Sequence, residues 1–449
     1  MILVFLFTAA ASLGADKLDV KEHFLDNGMK VIILEDHSAP LAAVIVSVNA
    51  GSKNEPAGES GTAHLVEHMM FKGSTHMGAE QFTEIVQRYG GDENAGTERD
   101  FTDYFAYIPS SKVEEILKLY EEIMSDVSFR PDEFLSERDV VLEELRLGLN
   151  DPYDAVFDAV TAGAYEAHPY RRPITGWISD LRTLTRDEAY SFYKTFYVPN
   201  NMRLLLVGDI TENEAMRLAK EYFGKIKKSA APPTVPTVEP EQTGERRIKI
   251  EREAFLPMVT MAWHIPAASD SDLIALKVLD QILSGGRSSR LHKELVYEKQ
   301  ICTSVSAWNY ELKDPGLFYI TCMVSKGHTA EEAENGVYGI LGKLKSEPVT
   351  DTELKKASNQ YLASFVFGQE SILSQAFIVE YYDAFFWLQA VNELPQMIRS
   401  VTKEQVMRVA SEYLTEENRT VGVLVPTPPV EPPSKMPGAM DVTPHGVRR

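Results

Sequence analysis

The sequence predicts an α+β protein built of two homologous α/β units, each an antiparallel-rich sheet flanked by helices, joined by a Pro-rich linker. Three observations carry that expectation. Two stretches read alike at one constant offset, "LTRDEAYSFYKTFYVPNNMRLLLVGDI" from Leu184 and "VTKEQVMRVASEYLTEENRTVGVLVPT" from Val401. In each, a threonine (Thr185, Thr402) precedes a capping pattern, a helical run, a loop asparagine (Asn201, Asn418) and an apolar strand. One composition shift, "KKSAAPPTVPTVEPEQTGERR" at residues 227–247, is too rich in Pro, Thr and Glu for a helix and reads as an extended spacer. Strand-like and long helical runs also mix within the first half, with hairpin-like strand pairs, which disfavours a doubly wound parallel sheet.

Taken in order, "MILVFLFTAAASLGADKLD" has an apolar run and then small residues, the shape of a secretory signal cut within Ala11–Ala15. It lacks the basic start of such signals, and a frayed apolar end is the alternative. The absence of Arg disfavours a mitochondrial presequence. The expected organisation is a signal segment (1–15), a metal-bearing unit (16–227), a linker (228–247), a homologous unit without metal ligands (248–425) and a Pro-rich tail (426–449). In the first unit, strands "KVIILED" and "LAAVIVSVNAG" lead to a helix in "GTAHLVEHMMFKGS". Then follow "AEQFTEIVQRYGG", a strand pair around "NAGTERDFTDYFAYI", and helices in "KVEEILKLYEEIMSDV" and "DEFLSERDVVLEELRLGL".

With 449 residues, 44% apolar and 25% charged, the chain reads as a soluble globular protein of two or three domains. A net charge of −21 opposes nucleic acid or an anionic membrane as partner. No run reaches the ~18 apolar residues of a transmembrane span. The signal-like start implies a periplasmic or secreted location, with a membrane tether if the segment is retained. Two cysteines, Cys302 and Cys322, are too few for a disulfide framework or a thiolate zinc site. Both sit in strand-like runs as small hydrophobes, and a hairpin would make them neighbours able to form one disulfide.

The chemistry concentrates in "HLVEH". On a helix capped by Ser60 or Thr62 and closed by Gly73, His64 and His68 project from one face, a spacing that lets two imidazoles hold one divalent ion. Glu67 stands beside the second ligand, where a carboxylate reaches a water at the metal, the reverse of the H-E-x-x-H order. The alternative is a helix that carries these polar residues by chance, although its Leu, Val, Met and Phe neighbours do not make a solvated face. A third ligand is available from "DEFLSERDVVLEELRLG". Glu137 and Glu144 lie two helical turns apart on one face, with Glu144 flanked by Val141 and Leu145 and so expected to point inward, whereas Glu143 turns toward solvent. A buried carboxylate needs a cation, which a zinc ion at His64 and His68 supplies.

These residues resemble the pitrilysin (insulinase) family of zinc peptidases, and within it the mitochondrial processing peptidase-like group. "HLVEHMMFKGS" matches the family's H-x-x-E-H-x-x-F-K-G-[ST], and Glu137 and Glu144 match its downstream E-x6-E pair. "YGGDENAGTERDFTDYF" and "HPYRRPITGWISDLRTLT" are also similar to segments of such chains. The resemblance implies a zinc metalloendopeptidase acting on peptides or unfolded segments. His64, His68 and Glu144 would hold Zn2+, Glu67 would take the proton from water, and Glu137 would support the site. Asn94, Ala95, Gly96 and Thr97 would offer main-chain groups to an extended peptide, where the alternative is a plain hairpin strand.

One departure stands out. Self-sufficient members carry an Arg and a Tyr in the second half, where the alignment on "KELVYEKQICTSV" puts Val296 and Thr303. Arg290 and Tyr297 have the right separation but stand out of register. The chain therefore resembles the zinc-bearing member of a heterodimer whose sister subunit supplies the Arg/Tyr pair. The rival expectation is a non-catalytic scaffold or a zinc- and peptide-binding subunit.

Overall fold

The computed structural model describes residues 17–427. The expected signal segment and the tail beyond Thr427 lie outside them. Strands β1 (Lys21–Phe24), β2 (Lys30–Glu35), β3 (Leu41–Val48), β4 (Asp92–Thr97), β5 (Thr102–Pro109) and β6 (Met202–Gly208) form one sheet in the order β1-β2-β6-β3-β5-β4. A second sheet joins β7 (Arg246–Glu253), β8 (Met258–His264), β9 (Cys302–Tyr310), β10 (Leu317–Val324) and β11 (Arg419–Thr427) in the order β7-β11-β8-β10-β9. Neighbours are antiparallel except β2 with β6 and β7 with β11. Without β1 the two orders superpose, so the internal repeat is a repeat of topology.

The copies agree in detail. Helices Arg186–Phe196 and Lys403–Tyr413 both begin with a reciprocal capping box, at Thr185 with Glu188 and at Thr402 with Gln405. Each ends where an asparagine amide donates back to the last turn, Asn201 to the Phe196 carbonyl (2.9 Å) and Asn418 to that of Tyr413 (2.7 Å). The chain then enters the apolar central strand, β6 or β11.

Packing departs from the expected division at the linker. Helix Pro152–Ala164, from the first half, lies on the second sheet, where Val156 and Val160 join a buried cluster with Met258, Ala262 and Leu424. Its approach is close: a Cβ on Gly422 of β11 would stand 2.3 Å from Val160. Helix Ile372–Phe385, from the second half, lies in turn on β3 and β6 of the first sheet. Phe377 meets Phe105 there with ring centres 4.9 Å apart. Each sheet thus buries one face against a helix of the other half, and a cut in the sequence at the linker does not separate two self-contained cores.

The linker is pinned toward its C-terminal end. Residues 226–245 form no helix or strand. The Glu239 carboxylate accepts the backbone N–H groups of Glu166, Ala167 and His168 at 2.6, 3.0 and 2.7 Å, and Gln242 donates to the Arg419 carbonyl at 2.7 Å. A buried polar seam adds to the junction, with Lys53 between Asp100 and Asp314 and the Tyr170 hydroxyl donating to Asp100 at 2.7 Å. Cys302 and Cys322 are free thiols in the β9–β10 hairpin, in hydrogen-bond contact with each other. No helix among the described residues is long and apolar enough to cross a membrane.

Candidate metal centre

The "HLVEH" helix spans Thr62–Met70, with Leu65, Val66, Met69 and Met70 buried. Its start is not capped by Ser60 or Thr62 as expected. Gly61 occupies the cap with φ +89°, the Ser60 hydroxyl turns to Asp180 (2.7 Å), and that of Thr62 turns back to the Glu59 carbonyl (2.6 Å). Glu55 takes over the role, accepting the Ala63 N–H at 2.9 Å, and burial pushes its pKa up to about 8. At the other end Phe71, not Gly73, closes the helix. Gly73 lies further on with φ +95°, where any Cβ would strike the Met77 carbonyl.

The predicted ligands converge. His64 Nε2 stands 3.8 Å and His68 Nε2 3.5 Å from Glu144 Oε2, and the three ligand atoms lie within 4.8 Å of one another. The two imidazoles meet edge to face at 89°. His68 Nδ1–H donates to Glu137 at 3.2 Å, which leaves its Nε2 lone pair turned toward Glu144. Glu137 is itself held by Lys72 Nζ at 3.1 Å. His64 Nδ1 is buried with no partner, and burial, then the nearby His68, pull the His64 pKa down to about 4. Burial opposes charge on His68 as well, but Glu137, Glu144 and Glu67 around it hold its pKa above the ordinary value. Two imidazoles and one carboxylate aimed at a common point are a donor set that suits zinc and leaves room for a further ligand.

Glu144 differs from expectation in one respect. Its helix, Pro131–Asn150, buries Val141 and Leu145 beside it, yet the Glu144 side chain is 45% exposed, and Glu137 is the buried member of the pair at 9%. The face is right, but a cleft reaches in as far as Glu144. The cleft continues into a compartment of about 250 Å³ that Glu144 shares with Arg99, Asp158 and Tyr310. Sequence reasoning passed over Arg99, whose guanidinium is buried and bound to the carbonyls of Tyr170 and Arg172.

Glu67 projects from the helix toward β4. Its Oε2 accepts the Thr97 hydroxyl at 2.5 Å, and burial raises its pKa while that bond restrains the rise. Thr97, expected to offer backbone groups, thus also orients Glu67 through its side chain. Lys72 behind Glu137 was likewise unassigned, although it stands within the "HLVEHMMFKGS" motif. Strand β4, which holds Asn94, Ala95, Gly96 and Thr97, is the outer strand of its sheet. The Ala95 N–H is taken by the Asn94 side-chain carbonyl at 2.9 Å, in the manner of a carbonyl from one more strand.

The second half holds a counterpart without metal ligands. Helix Asp272–Ser284 follows β8 as Thr62–Met70 follows β3, and Gly286 has the left-handed φ of Gly73. Counting back from those glycines, Lys277 falls at the place of His64, Asp280 at that of Glu67 and Gln281 at that of His68. Lys277 is buried and paired with Glu311, and Asn309 donates to Asp280 at 2.8 Å. A tethered ammonium stands where the first half presents imidazole. Arg290 is bound to Glu353, and Tyr297 is 78% exposed, so neither is poised as a pair.

The chain is thus a duplicated α/β protein with a His-His-Glu cluster in one half and a lysine in its place in the other. Comparison with known proteins gives its family. The Insulinase (Peptidase family M16) pattern matches residues 30–176, and the Peptidase M16 inactive domain pattern matches residues 183–361. The zinc protease PqqE of Helicobacter pylori is 30% identical over 94% of this chain and 97% of its own length. A probable mitochondrial-processing peptidase subunit beta of Arabidopsis thaliana is 27% identical over 90% of this chain and 77% of its own. The crystal structure of a protease from Helicobacter pylori superposes with a TM-score of 0.88 at 30% identity, covering 91% of this chain and all of that one. The chain belongs to the M16 (insulinase) family of peptidases.

Proposed function

We propose that this chain is a zinc-dependent endopeptidase acting on extended peptides, located in the periplasm or secreted, with its centre at His64, His68 and Glu144. The convergence of those three ligand atoms carries the reading. Zinc held there would supply a Lewis acid that acidifies water and polarises a carbonyl. Glu67, its pKa raised by burial and its oxygen steadied by Thr97, takes the proton from the attacking water and returns it to the leaving amine. Glu137 holds the tautomer and ring angle of His68. Asn94 to Thr97 on the outer strand bind the peptide main chain as an added strand, an affinity with little sequence preference.

Val296 and Thr303 leave the second half without an Arg/Tyr pair, which supports dependence on a sister subunit. The test is zinc content together with cleavage of a quenched peptide, with and without a co-expressed sister chain. Glu67→Gln should keep zinc and lose about 10²–10⁴-fold in turnover, while His64→Ala should lose the metal. Unchanged turnover in Glu67→Gln removes the base. Full activity of the single chain, indifferent to the sister, removes the partner. Bound zinc and peptide with no cleavage under any condition would leave a binding subunit.

A further inference from the structure

We propose that the apolar pocket walled by Leu145, Trp177 and Ile250 receives one large apolar side chain of the peptide held at the candidate metal centre. The proposal rests on the peptidase reading and adds a specificity site to it. The pocket holds about 600 Å³. Ala155 and Ala159, one turn apart on helix Pro152–Ala164, open its space by being small. Trp177 forms part of its wall and is 43% exposed, a large ring left facing solvent.

Two features favour a peptide side chain as the occupant. The pocket adjoins the candidate centre: Leu145, Leu149, Asp158 and Pro173 line both it and the compartment that contains Glu144. Its wall is rigidly tied to the metal helix. Gly176, at φ +78°, packs so closely on Ser60 and Gly61 that a Cβ would stand 2.4 Å from the Ser60 backbone, and the Trp177 N–H donates to the Ser60 hydroxyl at 2.9 Å. A preformed apolar recess beside a metal ligand is the ordinary form of a side-chain subsite.

The experiment uses the full zinc-loaded chain in the Glu67→Gln background, so that peptide is bound without turnover. The probes are uncharged nine-residue peptides of Ala, Ser and Gly in which a single Phe is moved along the sequence, with binding read by titration calorimetry. At one position Phe should bind about 10- to 100-fold more tightly than Ala. Ala159→Leu, which fills the pocket, should abolish that preference and leave the affinity of the Phe-free peptide unchanged. If Ala159→Leu does not fold, Trp177→Ala is measured in its place, with a loss of preference again expected. No preferred position, or a preference that survives both substitutions, overturns the proposal. So does a change in oligomeric state on filling the pocket without any effect on peptide, which would mean that a second copy covers it. If the wild-type chain never cleaves, with or without the sister chain, but the Phe preference appears and falls with Ala159→Leu, the pocket stands and the hydrolytic reading fails. Cleavage without any Phe preference gives the reverse.

Discussion

Glu137 and Lys72 show how a site extends past the atoms that would touch the ion. The Glu137 carboxylate fixes the face of His68 and is itself held by the Lys72 ammonium. Glu137→Ala should therefore lower zinc affinity by about 10- to 100-fold while leaving the fold intact, as measured by competition with a chelating dye. Helical spacing puts His64 and His68 on one face, while Glu67 and Glu144 became expectations through the match to the family's motif. The bond of the Thr97 hydroxyl to Glu67, and the parts of Lys72, Glu55 and Arg99, could not be read, since their partners come from other elements and no local period announces them. The exposure of Glu144 was misjudged for a related reason. Buried neighbours such as Val141 and Leu145 report the direction of a helix face but not how far a cleft cuts into it.

Single elements carry their own predictions. The outer strand β4 keeps the Ala95 N–H occupied by the Asn94 side chain, as if holding the place of a substrate carbonyl. Ala95→Pro removes that donor at a sheet edge, where proline is tolerated. It should raise KM several-fold, the worth of one hydrogen bond at about 1 kcal/mol, with little change in kcat or in circular dichroism. The start of the metal helix depends on Glu55, and Glu55→Ala should cost about 0.5–2 kcal/mol in chemical denaturation, the usual loss for a helix cap. Element identity was legible where caps and periodicity agree, as at Thr185 and Thr402, whose boxes form as the pattern predicts. It was less legible at residues 60–73, because a left-handed glycine and a distant carboxylate do the work expected of a local hydroxyl.

At the scale of the molecule, the second half keeps its counterpart of the metal centre intact by means of Lys277 and Glu311. Lys277→Met strands a buried carboxylate and should cost about 3–5 kcal/mol, with much of the loss recovered by adding Glu311→Gln; urea denaturation of both variants decides it. The seam between the halves should also respond to acid. His168 first, and then Lys53, hold the Asp314 pKa below its ordinary 3.8. A carboxylate lowered in the folded state adds stability that is present above that value and lost as pH falls beneath it. The melting temperature should drop on the acid side, and Asp314→Asn should make that limb shallower.

The duplication and the linker were readable from the sequence, but the exchange of helices was not. An amphipathic pattern states that Val156, Val160 and Phe377 face something apolar, and it does not state which sheet provides it. That exchange has a practical corollary. Because Pro152–Ala164 and Ile372–Phe385 each reach across to the opposite sheet, a protease nick within 227–245 should leave two fragments braided together. They would travel as one species on a native column and come apart only in denaturant.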